Sequence, residues 1–166
     1  MVADLSRADF VARFGGIFEH SAWVAEGAFD AGLDQLETAS ALHKAMVAIM
    51  RAAPRAQQLA LINAHPDLAG RLAAAGRLTA DSTREQTSAG LDHLTDAERA
   101  RFTVLNDAYK ARFGFPFIMA VKGRSKQEIL SAFETRLHHN GEAEFATAMG
   151  EIEKIALLRL RDMLPD

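Results

Sequence analysis

A histidine followed by a proline is the first place where this chain could do chemistry. His65 stands in the segment Ala64-His65-Pro66-Asp67-Leu68. Proline disfavours helical backbone at the residue before it, so His65 is expected at a helix end. A helix end leaves backbone groups over and lets a side chain reach a pocket. Histidine exchanges protons near neutral pH, which suits a general acid or base. The plain alternative is a terminal histidine that only meets the last helix carbonyls. Ser82, Glu85 and Gln86 form a second group. Offsets of three and four put a hydroxyl, a carboxylate and an amide on one helix face. The same residues also read as a Ser-x-x-Glu capping box, a pattern repeated at Thr95/Glu98 and Ser125/Glu128. Gln86 adds little to a cap, and it keeps the ligand reading open. Arg159 is the third candidate. It lies on an apolar stripe with Ile152, Ile155, Ala156 and Met163. A cation there needs an anionic ligand or a structural carboxylate, unless it snorkels outward.

Helices must position these groups. Ser6 is expected to cap a short helix carrying Phe10, Val11 and Phe14, stopped at Gly15-Gly16. Residues 17–30 carry Ile17, Phe18, Trp23, Val24 and Phe29 on one or two short helices. Residues 34–52 read as a longer helix with Leu42, Met46, Ile49 and Met50 on one face. Pro54 marks its end and starts the next, at about residues 55–64. Thr95 begins a helix with Phe102, Leu105, Tyr109 and Phe113, ended by Gly114. Ser125 begins another with Ile129, Phe133 and Leu137, ended near Asn140-Gly141. The last is expected over about 142–163. The apolar run at 115–121 has strand length, but a lone strand has no partner for its backbone. It is expected as a buried irregular or helical connector. The fold class predicted is all-α, a compact single-domain helical bundle over residues 1–166.

Composition removes several function classes. The chain has 166 residues, enough for one domain with a core that needs no staples. It contains no cysteine, which excludes thiolate catalysis, disulfides and cysteine-held metal clusters. The net charge is −3 with both signs mixed. No basic block could track a phosphate backbone, so nucleic acid is not an expected partner. No apolar stretch reaches membrane-spanning length. The first ten residues do not read as a secretory signal. A cytoplasmic location is expected. His20, His43, His93, His138 and His139 lack metal-ligand spacing, and no glycine-rich phosphate loop is present. A metal held by His65, Asp67 and Glu85 stays an alternative without a recognised spacing behind it.

Five segments, in order, resemble the OHCU decarboxylase family of purine degradation. They run from Phe14 to Glu26 (FGGIFEHSAWVAE), Ala64 to Gly70 (AHPDLAG), Ser82 to Leu91 (STREQTSAGL), Phe113 to Gly123 (FGFPFIMAVKG) and Glu151 to Leu160 (EIEKIALLRL). Ala22 departs from the family, which often has proline there. The resemblance implies decarboxylation of 2-oxo-4-hydroxy-4-carboxy-5-ureidoimidazoline to (S)-allantoin. It implies His65 and Glu85 as the catalytic pair. Pro66, Ser82, Gln86, Arg159 and the segment Phe117, Ile118 and Met119, through its backbone, are implied at the substrate. It implies no cofactor and no metal, a small-molecule substrate as partner, and leaves a homodimer open. Two readings of other classes compete: a non-catalytic helical binding module, and a metal-assisted hydrolase acting on ureides.

Overall fold

The computed structural model describes residues 1–166, apart from the side chain of Leu72. It is all-α, with no strand among the described residues. Two compact units divide it, residues 1–64 with 152–166, and residues 65–151.

The first unit holds α1 (Arg7–Phe14), α2 (Trp23–Asp30), α3 (Ala39–Ala52) and α4 (Arg55–Asn63), preceded by a 3-10 turn at Val2–Asp4. Ser6 caps α1, its hydroxyl accepting from the Asp9 N–H, as the sequence suggested. The helix expected from residue 34 starts five residues later. Gly32 and Gln35 are left-handed, with φ of 112° and 64°, which a right-handed helix cannot include. Thr38 then caps α3 by accepting from the Ala41 N–H. Residues 17–22 are turns for the same reason, with His20 at φ 47°. Pro54 is the N-cap of α4, where its missing N–H costs nothing. Phe10, Phe14, Leu42, Met46, Met50, Leu61 and Ile62 are fully buried.

The second unit holds α5 (Arg71–Ala74), α6 (Ala80–Ser88), α7 (Asp96–Phe113), α8 (Lys126–Arg136) and the start of α9 (Gly141–Arg161). Thr95 caps α7, and Gly114 ends it at φ 78°, a conformation that glycine adopts without a Cβ clash. Ser125 and Glu128 form a true capping box on α8. That helix ends at Arg136, short of the expected Asn140. Asn140 instead serves α9, its Oδ1 accepting from the Ala143 N–H at 2.8 Å. On α9, Ile152, Ile155, Ala156 and Arg159 are buried, but Met163 is exposed beyond the helix end and leaves the stripe.

Residues 115–121 form the irregular buried connector that was expected. Phe115, Phe117, Ile118 and Val121 are each at most 5% exposed. Aromatic packing holds the segment without a backbone ladder. Phe117 stacks on Phe133 at 3.8 Å and meets Tyr109 edge-on at 5.4 Å.

Candidate functional site

His65 follows the α4 cap residue Ala64 directly and is half-buried in a bend. The loop after it is tight. Ala69 is left-handed at φ 50°, and a Cβ on Gly70 would meet the Asp67 Cβ at 2.6 Å, so only glycine fits there. Three side chains grip this loop from α6 and α7. Gln86 Oε1 accepts from the buried Ala69 N–H at 2.9 Å, and its Nε2 donates to the Asp67 carbonyl at 3.3 Å. Asn106 Nδ2 donates to the Leu68 carbonyl at 2.9 Å. Lys110 Nζ pairs with the Asp67 carboxylate at 2.6 Å. Three consecutive residues behind the His-Pro pair are therefore tied down, which limits where the His65 backbone can go.

The Ser82-x-x-Glu85 ambiguity resolves against the cap. Thr79 caps α6, its hydroxyl accepting from the Ser82 N–H at 3.3 Å, so Ser82 and Glu85 both lie inside the helix. Ser82 and Gln86 are buried and Glu85 is half-buried. Gln86 braces the His65 loop, a structural task the sequence did not reveal. Among the described residues, no group of three or more His, Asp or Glu is arranged to hold a metal ion.

Phe117, Ile118 and Met119 are supported from behind by a buried polar cluster. Arg136 Nη1 donates to the Ile118 carbonyl at 2.6 Å, and its Nε donates to Glu144 Oε1 at 2.8 Å. Tyr109 Oη donates to the same oxygen, and His139 Nδ1 lies 3.0 Å from Oε2. Burial pushes the Tyr109 phenol up from its usual range, and the hydrogen bond to Glu144 adds to the shift, so it stays a donor.

Arg159 belongs to the first unit. Its Nη1 donates to Glu19 Oε2 at 2.9 Å and to the Gly16 and Ile17 carbonyls at 3.3 and 3.4 Å. Both side chains of the pair are nearly inaccessible. The structural carboxylate foreseen as one partner for this cation is thus Glu19. Glu19, Asn106, Arg136 and Glu144 were missed by sequence reasoning. A signal existed for two of them. Asn106 falls on the buried stripe of α7 beside Phe102, Leu105 and Tyr109, and Arg136 lies three residues beyond Phe133.

A family model described as OHCU decarboxylase matches residues 3–161. The chain belongs to the OHCU decarboxylase family. Membership places it among carboxy-lyases. Within the curated relatives, a 2-oxo-4-hydroxy-4-carboxy-5-ureidoimidazoline decarboxylase of Halalkalicoccus jeotgali is 41% identical, over 98% of this chain and 90% of that protein. The uric acid degradation bifunctional protein PucL of Bacillus subtilis is 45% identical over 92% of this chain. The chain spans only 30% of that protein's length. A crystal structure of (S)-allantoin synthase matches with a TM-score of 0.79 at 37% identity, covering 98% of this chain and 52% of that one. This family assignment agrees with the resemblance read from the five sequence segments.

Proposed function

We propose that the chain, as one domain over residues 1–166, decarboxylates 2-oxo-4-hydroxy-4-carboxy-5-ureidoimidazoline to (S)-allantoin without a cofactor. The observation that carries this reading is the close relationship to decarboxylases named for that substrate, one of them 41% identical over nearly the whole chain. The braced loop after His65 is consistent with it, because a proton-transfer group works best from a fixed backbone.

The reaction needs no external electron sink. The electron pair released from the C–carboxylate bond moves into the adjacent C=N of the ring, whose nitrogen gains a proton. Loss of the hydroxyl proton then re-forms a carbonyl as the neighbouring carbon is protonated on one face. His65 is assigned these proton transfers, with Glu85 raising its basicity and fixing its orientation. Ser82, Gln86 and the backbone of Phe117 to Met119 read the ring and ureido groups, and Pro66 shapes the wall beside His65. Arg159 contributes positive charge for the anionic substrate, shared with Glu19. The partner is this small molecule, and self-association as a homodimer is compatible with the reading.

Circular dichroism of freshly generated substrate tests it. With enzyme, a signal of one sign should grow as the chiral product forms, whereas spontaneous decay gives a racemate. The trace should be unchanged after dialysis against a chelator. A flat trace refutes the activity, and loss restored by zinc, manganese or magnesium refutes the cofactor-free mechanism.

A further inference from the structure

A peptide unit is planar and, here, trans, so its C=O and N–H point in opposite directions. Arg136 holds the Ile118 carbonyl at 2.6 Å, and the Met119 N–H on the same peptide must point away from the guanidinium. Among the described residues that N–H has no acceptor. The next one along, from Ala120, is taken by Glu151 Oε2 at 3.0 Å. A donor without a partner is thus left between two anchored groups.

The anchor itself is overdetermined. The Arg136 guanidinium lies 4.2 Å from the centre of the Phe117 ring, and Phe117 is stacked on Phe133. Its counter-ion Glu144 is fully buried, and Tyr109 and His139 occupy its oxygens as well. A buried ion pair of this kind adds little net stability over apolar residues of the same volume, but it fixes geometry. The geometry fixed here is that of one peptide plane.

We propose that Arg136, locked by Glu144, is a positioning residue that aims the Met119 N–H at an acceptor oxygen of the substrate. The inference rests on the reading that Phe117 to Met119 line the substrate site. In this proposal Arg136 acts through the Ile118–Met119 peptide, by way of its bond to the Ile118 carbonyl.

The test compares wild type with Arg136→Lys and Glu144→Gln, using the full chain labelled with 15N. Arg136→Lys keeps the charge beside Glu144 but loses the fork that reaches Ile118 and Glu144 together. It should stay folded and raise KM by about three- to tenfold, the worth of one misaligned neutral hydrogen bond, with kcat changing less. Glu144→Gln should move KM the same way. In the wild type the Met119 amide resonance should shift on titration with (S)-allantoin, and in Arg136→Lys that shift should shrink. A folded Arg136→Lys enzyme with wild-type KM overturns the proposal. So does a wild-type Met119 amide that stays still at saturating (S)-allantoin, a result that decides the matter even if the variants do not fold. Absence of stereospecific turnover in the wild type is a different result: it removes the proposed function, and this inference with it.

Discussion

Replacing Gln86 by leucine isolates the grip on the His65 loop. Leucine has nearly the same volume, so no large cavity opens. It removes two hydrogen bonds, the 2.9 Å bond accepted from Ala69 and the 3.3 Å bond donated to Asp67. Ala69 is 5% exposed, so its N–H is left buried and unpaired. That costs about 1–3 kcal/mol, and the longer second bond adds about 1 kcal/mol. Ala69 also sits at φ 50°, a conformation that needs its surroundings to hold it. Together the loss should be about 2–4 kcal/mol, or a Tm lower by about 5–12 °C for a chain of this size. Urea unfolding gives the first quantity. Native-state hydrogen exchange reads the loop directly, and the Ala69 amide should lose protection while the core amides of α7 lose no more than the global change. Gln86→Glu should fall between, since it still accepts from Ala69 but turns a carboxylate oxygen toward the Asp67 carbonyl. If Gln86→Leu keeps its stability within about 0.5 kcal/mol, the range of neutral surface changes, and the Ala69 amide stays protected, then the loop is not held by Gln86 and the reasoning fails.

His65→Ala should abolish stereospecific decarboxylation by about 10²–10⁴-fold, and Glu85→Gln should also be severe with the fold intact; a folded His65→Ala enzyme of near-normal activity refutes the proposed pair. Arg159→Lys should raise KM more than it lowers kcat, measured by steady-state kinetics, because charge is kept and the planar fork is lost. Arg159→Ala should destabilise by about 3–5 kcal/mol in urea, since it removes one half of a buried ion pair with Glu19. Backbone N–H groups of Ala3 and Val2 hold the Glu37 carboxyl below its usual range, and Arg7 and Lys126 do the same for Asp30 and Glu98. Folded values below unfolded ones add stability above the ordinary carboxylate range that is lost as pH falls through the folded values. Tm should therefore be level from neutral to about pH 5 and fall below about pH 4, with a shallower fall in Glu37→Gln; a Tm independent of pH down to acid would contradict this.

Features that depend on a few neighbouring residues were legible in the sequence. The caps at Ser6, Thr95 and Ser125 form as read, because each is a bond across three residues of chain. Proline at 66 put His65 at a helix end, and the aromatic run at 115–121 announced its own burial. Two local readings went the other way. Ser82 read as a cap for α6, a place that Thr79 takes, and Asn140, expected near the end of one helix, serves the start of the next. Tertiary structure alone chose the partners of the polar groups. That Gln86 would reach back to Ala69, that Arg159 would meet Glu19, and that Arg136 would hold the Ile118 carbonyl are bonds between residues 17, 140 and 18 positions apart. Periodicity and capping rules act within about four residues, whereas a buried charge takes whichever carboxylate or carbonyl the packed helices bring within 3 Å. The sequence could therefore say that Arg159 needed an anion, and only the fold could say which one.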